Sequence, residues 1–128
     1  MKNVYNKSIV KSFGYALEGL SHAIKYNRNL RIHFVVGLIV VLASIFFHVT
    51  PFEMSILGVM ILLVISSEMI NTAIEEMVDL IIQEHKKEAK IAKDVAAGMV
   101  LVTSVGSAIV GFLIFTPYIL KLFYPAPL

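Results

Sequence analysis

The sequence predicts an all-α integral membrane protein, in which each protomer has one amphipathic N-terminal helix followed by three transmembrane helices. The mean hydropathy is +0.82, and 58% of the residues are hydrophobic while only 16% are charged. That composition is too apolar for an ordinary soluble domain of this size. The chain also holds three apolar runs of about the 20 residues that a bilayer-spanning helix needs. We therefore predict a single membrane-embedded domain over residues 1–128.

The first segment, residues 1–30, is predicted to contain an amphipathic helix. Ile9, Phe13 and Leu17 recur at helical spacing, and Lys11 and Lys25 fall on the opposite face. A partly basic polar face suits a helix that lies on an anionic inner leaflet. A solvated helix packed on the rest of the protein fits the same pattern equally well, and the two alternatives are compatible.

The transmembrane helices are predicted at about 32–49, 52–82 and 95–118. Pro51 and the short polar link 48–53 interrupt the helix between the first two spans, so the turn there is predicted to be short. The second helix is longer than the hydrocarbon is thick, and the polar stretch 83–93 is predicted to be a loop before the third. On the third helix, small residues share one face, which lets helices approach closely in lipid and suggests a homo-oligomer: Ala97, Ser104, Ala108 and Gly111.

The basic residues predict the orientation in the membrane. Of the 11 Lys and Arg residues, only Lys121 follows the third span, and the others precede the first span or lie in the stretch 83–93. Because cytoplasmic loops carry the excess of Lys and Arg, the N-terminus and this stretch are predicted to be cytoplasmic. The chain has no cysteine, which excludes disulfides, thiolate metal sites and a cysteine nucleophile.

A polar stripe occupies one face of the second span near its cytoplasmic end. At about 100° per residue, it comprises Glu68, Asn71, Thr72, Glu75 and Asp79. Glu76 points roughly 80° away from this stripe and need not belong to the site. An ionisable residue within the hydrocarbon is costly and usually functional, so Glu68 is a candidate site residue. A cluster that only joins helices through hydrogen bonds is the structural alternative.

The chemistry of the polar stripe favours phosphoryl transfer. Aligned carboxylates repel one another unless a cation or a proton neutralises them, and carboxylate and amide oxygens suit Mg²⁺. Lysines in the stretch 83–93 and Lys93 beside Asp94 offer partners for phosphate oxygens. The chain contains no GxxxxGK[ST] loop and no GxGxxG motif after a strand. A small proton- or cation-coupled transporter, which also uses an intramembrane carboxylate, remains the alternative of another class.

Four motifs together carry a family resemblance over about residues 12–116. The strongest is an E-x-x-N-[ST]-A-I-E-x-x-x-D pattern that runs from Glu68 to Asp79. The others are the step Ala92-Lys93-Asp94, the run RNLRIH at 28–33 and the segment FGYA at 13–16. With these motifs the sequence resembles the prokaryotic diacylglycerol kinase family, and most of all its Gram-positive undecaprenol kinase branch.

The resemblance implies a homotrimer in the bacterial plasma membrane, with active sites shared between neighbouring subunits at the cytoplasmic interface. It implies transfer of the γ-phosphoryl group of ATP to a lipid alcohol with Mg²⁺ as cofactor. Undecaprenol is the expected acceptor, and diacylglycerol is the alternative within the family. No nucleic-acid partner is expected.

The resemblance also implies roles for individual residues. Glu68 occupies a position that resembles the family's general base, and Asn71 one that resembles a residue ordering the family's active site. Glu75 is similar to a metal ligand, and Lys93 and Asp94 to a pair that contacts ATP. Further nucleotide contacts are expected at three positions: Tyr15, Glu84 and Lys86.

One position departs from the family pattern. Relatives place a glutamate just before the R-N-[FL]-R-I-H run, where it is the second carboxylate on the metal, whereas this chain has Asn27. An amide oxygen can bind Mg²⁺ but brings no charge. We therefore expect weaker metal affinity with Asn27 as a ligand, in a site that tolerates the change. Compensation by Glu18 or a water, and an impaired enzyme, are the alternatives.

Overall fold

A computed structural model of the chain describes residues 9–82 and 86–124. Four helices occupy these residues, namely α1 (Ile9–Tyr26), α2 (Arg28–Phe46), α3 (Pro51–Ile81) and α4 (Lys87–Phe123). Helix α3 packs mainly against α4 and less extensively against α2, and α1 contacts α2. The helices α2, α3 and α4 are each long and apolar enough to cross a membrane, in line with the three spans that the sequence predicts. The position of α1 on a membrane surface stays a prediction.

The distribution of polar and apolar side chains is the reverse of that in a soluble bundle. Large apolar residues face outward, such as Leu62 and Phe112, whereas Ser44, Ser67 and Glu68 are buried between helices. In lipid, apolar side chains can remain on the surface, while polar groups must find partners inside the protein. The arrangement is therefore typical of a membrane-spanning bundle.

Helix α2 begins at Arg28, about four residues earlier than predicted, because Asn27 caps it. The Oδ1 atom of Asn27 accepts a hydrogen bond from the backbone N–H of Leu30 at 3.0 Å. The guanidinium of Arg31 donates to the carbonyls of Ile24 and Lys25 at the end of α1. This joint fixes α1 relative to α2. Residues 4–8 of the predicted first helix lie outside the described residues.

The turn between α2 and α3 is as short as Pro51 predicts. Helix α2 ends at Phe46 rather than at 49, and His48 adopts a positive φ of 51° in the turn. Thr50 then forms a capping box with Glu53, and Pro51 occupies the first turn of α3, where its missing N–H costs nothing. Local chemistry therefore sets the start of the longest predicted span.

The prediction of a loop over 83–93 is wrong for residues 87–93, which form the first two turns of α4. The segment contains strong helix formers, and Lys90 pairs with Asp94 one turn later at 2.8 Å. Polarity alone suggested a loop, but helical propensity and this pair extend the helix beyond the apolar span.

The other end of α4 also extends further than predicted, to Phe123 rather than 118, although Pro117 lies inside it. A proline removes one backbone hydrogen bond, and neighbouring hydroxyls can compensate in membrane helices. The hydroxyl of Thr116 donates to the carbonyl of Phe112 at 2.6 Å, in the turn that the proline interrupts.

Helices α3 and α4 are joined by small and hydroxyl side chains. The hydroxyls of Ser67 and Thr103 lie 2.8 Å apart, and Ser107 donates to the carbonyl of Met60. On the predicted small-residue face of α4, three residues line an apolar cavity of about 430 Å³ whose other walls are α2 and α3: Ser104, Ala108 and Gly111. These small residues widen the space between α2 and α4.

Far from the polar stripe, Tyr118 ties α4 to the turn between α2 and α3. Its hydroxyl donates to Oε2 of Glu53 at 2.6 Å, and the Thr50 hydroxyl donates to the same oxygen. We expect Tyr118→Phe to lower the Tm of the detergent-solubilised protein by a few degrees, because a charge-assisted hydrogen bond is lost without a change in shape. Tyr124→Phe, at an exposed tyrosine, is the control. Equal Tm values for the two variants would contradict this role.

Candidate active site

The polar stripe of α3 lies on one face, as the helical period predicts, and its burial decreases along the helix. Glu68 is 1% exposed and Asn71 is 6% exposed, Glu75 is half-buried and Asp79 is exposed. The stripe thus leads from a desolvated carboxylate to carboxylates that water can reach. A desolvated carboxylate and carboxylates that ions can reach therefore share one helix face.

Asn27 connects this stripe to the start of α2. Its Nδ2 atom donates to Oε1 of Glu68 at 3.0 Å and to the hydroxyl of Thr72 at 2.5 Å. The hydroxyl of Thr72 in turn donates to the backbone carbonyl of Glu68 at 2.9 Å. The buried carboxylate is therefore held by a network that joins two helices.

Asn71 and Glu75 form the next layer of the stripe. The Nδ2 atom of Asn71 donates to Oε1 of Glu75 at 3.0 Å, one helical turn further along α3. The Oδ1 atom of Asn71 is buried and has no hydrogen-bond partner among the described residues. A buried acceptor without a donor is costly, so this oxygen is available for a ligand.

A cavity of about 340 Å³ opens beside these residues. Its walls include six side chains that matter for the chemistry: Asn27, Glu68, Asn71, Glu75, Glu76 and Asp79. Four of the six are carboxylates, and Arg28 on α2 is the cation in the same wall. An excess of carboxylates favours the binding of a cation or of a ligand that carries one.

The oxygen atoms of this cavity suit Mg²⁺. Within the described ranges, no three acidic or histidine side chains converge into a preformed metal cluster. Mg²⁺, however, usually takes one or two protein carboxylates and completes its shell with water and substrate phosphates. The carboxylate of Glu75 and the unpartnered Oδ1 of Asn71 fit that requirement.

Lys93 and Asp94 are neighbours in sequence but have different partners in the structure. Lys93 forms an ion pair with Asp79 of the polar stripe, whereas Asp94 pairs with Lys90 on the exposed side of α4. The first of these pairs brings α4 to the mouth of the cavity. Of the two residues, Lys93 is thus the one that the fold connects to the candidate site.

Glu76, which the sequence did not require in the site, lines the cavity wall. Its Oε1 atom lies 3.2 Å from Nε2 of His22 on α1. The helical wheel of α3 placed Glu76 off the stripe correctly, but it carried no information about where α1 packs. His22 is a neighbour of the site that sequence reasoning missed.

The remaining predicted nucleotide contacts are not among the residues that line the cavity, or they lie outside the described residues. Tyr15 on α1 is half-exposed and is not among the residues that line the cavity. Lys86 caps the start of α4 through its backbone and has an exposed side chain. Glu84 lies outside the described residues.

Comparison with known proteins identifies the family. The family model for prokaryotic diacylglycerol kinase matches residues 14–115, which include α2, α3 and most of α1 and α4. The chain belongs to the prokaryotic diacylglycerol kinase family. The predicted resemblance is thereby confirmed, and lipid kinase is the enzyme class that this family supports.

Two relatives of this family are named for different lipid alcohols. A diacylglycerol kinase of Synechocystis sp. is 39% identical over 116 residues, which cover 90% of this chain and 66% of that protein. An undecaprenol kinase of Bacillus subtilis is 39% identical over 107 residues, which cover 84% of this chain and 87% of that protein. The percentage identity does not separate the two names, but the match covers a larger share of the second relative's own length.

Proposed function

We propose that this protein transfers the γ-phosphoryl group of ATP to the hydroxyl group of a membrane lipid alcohol, with undecaprenol as the acceptor. The observation that carries the proposal is the buried carboxylate of Glu68 beside a cavity whose other end holds exposed carboxylates. One end of this site suits an apolar alcohol and the other suits a charged nucleotide. The match covers 87% of the undecaprenol kinase relative and 66% of the diacylglycerol kinase relative, which favours undecaprenol over diacylglycerol.

In the proposed reaction, Glu68 is the general base. The lipid oxygen forms a bond to the γ-phosphorus while the bond from that phosphorus to the bridging oxygen of ADP breaks. The hydroxyl proton passes to the carboxylate of Glu68, and ADP leaves with the bridging oxygen. The amide of Asn71 orders Glu75 through their hydrogen bond.

Mg²⁺, when bound, would neutralise phosphate charge and orient the triphosphate. Glu75 and Asn27 are the ligands that the sequence predicts, but the Oδ1 of Asn27 already caps α2, whereas the buried Oδ1 of Asn71 has no partner among the described residues. The ammonium group of Lys93 pairs with Asp79 and contacts ATP when the nucleotide displaces Asp79. Asp94 is the second residue proposed to contact ATP. Tyr15, Glu84 and Lys86 remain predicted nucleotide contacts.

We place the cavity on the cytoplasmic side of the bacterial plasma membrane, where ATP is available, with the N-terminus on the same side. The assembly is proposed to be a homotrimer, as the family resemblance implies. The apolar cavity between α2 and α4 would give a neighbouring helix access to the small residues of α4. The transporter alternative finds no support in the family membership.

The choice of lipid is tested by offering undecaprenol and diacylglycerol side by side to the purified protein in mixed micelles with labelled ATP. We expect label in both lipids, with a higher initial rate for undecaprenol than for diacylglycerol. A higher rate with diacylglycerol at equal surface concentration would reverse the assignment. Label in neither lipid would contradict the proposed activity.

A further inference from the structure

Asn27 has the only side chain that joins the cap of α2 to the buried carboxylate of α3 in the network described above. Its Oδ1 accepts from the backbone N–H of Leu30, and its Nδ2 donates to Glu68 and Thr72. A backbone N–H can only donate, so the atom that faces Leu30 must be the amide oxygen. The amide nitrogen therefore faces α3, and the assignment of the two atoms is fixed by chemistry.

We propose that Asn27 is a positioning residue for Glu68 and does not act as a ligand of Mg²⁺. This inference rests on the proposed role of Glu68 as general base. A cation on Oε1 of Glu68 would meet the N–H groups of Asn27, which repel it. The oxygen of Asn27, which a metal would need, is already the helix cap.

The hydrogen bonds around Asn27 also explain how Glu68 is oriented. The two N–H groups of the amide have two acceptors, namely Oε1 of Glu68 and the hydroxyl of Thr72. The hydrogen bonds that the described residues donate to the Glu68 carboxylate go to Oε1, so Oε2 is left for the lipid hydroxyl. A charge-assisted hydrogen bond from a fixed amide holds the carboxylate in one rotamer, as general-base catalysis requires.

The decisive variant is Asn27→Ser. Serine caps a helix about as well as asparagine does, but its side chain is too short to reach Glu68. We expect kcat to fall at least about tenfold, with the KM values for ATP and lipid changed less than about twofold, because a hydrogen bond to a charged group is lost only at the reacting end. We expect the affinity for Mn²⁺, measured by electron paramagnetic resonance as a substitute for Mg²⁺ without ATP, to stay unchanged.

Thr72 supplies a second, independent test. Thr72→Val removes the hydroxyl that accepts from Asn27 and should lower kcat in the same direction, whereas Thr72→Ser should restore it. The double variant Asn27→Ser, Thr72→Val should lose less than the product of the single effects, since both act through Glu68. Thr50→Ala, which removes the cap of α3 at the opposite end, is the control and should lower Tm without lowering kcat.

Two results would overturn the proposal. One is a weaker Mn²⁺ affinity in Asn27→Ser together with a normal kcat at saturating metal, as a ligand role requires. The other is a kcat equal to that of the wild type at every metal concentration. If the wild type phosphorylates no lipid, the proposed function fails separately. The hydrogen bond between Asn27 and Glu68 is then tested by Tm alone. The Tm shifts of Asn27→Ser and Glu68→Gln should be non-additive in the double variant, and additive shifts would reject the hydrogen bond.

Discussion

Glu68→Gln is expected to lower kcat by about 10²- to 10⁴-fold, the contribution usual for a general base. Glutamine has the same shape and still accepts the hydrogen bond from Asn27, so the network around α2 and α3 can persist. It cannot take a proton from the lipid hydroxyl. The initial rate of label transfer from ATP to lipid measures the effect, and the elution volume and Tm of the variant check that the protein stays folded.

Glu53→Gln is the matched control for this experiment. Glu53 is a carboxylate of the same helix at its opposite end, where it caps α3 and accepts from Tyr118. It should retain kcat at temperatures below its own Tm. The base assignment fails if Glu68→Gln keeps near-full activity, or if both variants lose activity to the same extent.

Glu75→Gln is expected to cost the binding of metal and nucleotide. Glu75 is half-buried and accepts a hydrogen bond from Nδ2 of Asn71, whose Oδ1 atom has no partner among the described residues. Removing its charge should weaken Mn²⁺ affinity and lower kcat/KM for ATP at least about a hundredfold at low metal, since Mg²⁺ has few other charged ligands here. A titration of activity against Mg²⁺ should show partial recovery at high concentration.

Glu88→Gln is the control for the metal titration. Glu88 is an exposed carboxylate in the first turn of α4, and its removal changes the net charge of the protein by the same amount. Its Mg²⁺ requirement should match that of the wild type. An unchanged titration for Glu75→Gln, or an equal shift for both variants, would reject Glu75 as a ligand.

The polar stripe could be predicted from sequence because a helix repeats every 3.6 residues or so, and carboxylates stand out in an apolar span. Its gradient of burial follows from the same geometry. The start of α4 could not be read in the same way, because the stretch around Lys90 and Asp94 is both polar and strongly helical. Hydropathy predicts which residues lie in lipid and which in water, but it does not predict whether a polar stretch is a helix or a loop.

The contacts between helices lay beyond sequence reasoning for a different reason. His22 meets Glu76, and Asn27 meets Glu68, only because α1 and α2 pack at particular heights along α3. The family pattern identified position 27 as important through the residue that is missing there. The atoms that Asn27 directs toward α3, however, depend on its role as a helix cap, which the pattern does not contain.

The pairing of Lys93 with Asp79 shows how the polar stripe is linked to α4. An ammonium group held at the mouth of a carboxylate cavity lowers the repulsion among its acidic side chains while no phosphate is present. A triphosphate that binds with Mg²⁺ can then take over the ammonium group. The proposed site thus brings its metal-binding carboxylates and one phosphate-binding cation together at the same end of the bundle.

The proposed lipid kinase activity is tested by the transfer of labelled γ-phosphate from ATP into extractable lipid by the purified wild-type protein. We expect label in the lipid fraction when undecaprenol and Mg²⁺ are both present, loss of that label on chelation of the metal, and background levels in Glu68→Gln. A folded wild-type protein that labels no lipid alcohol, or a Glu68→Gln variant that labels it at the wild-type rate, would contradict it.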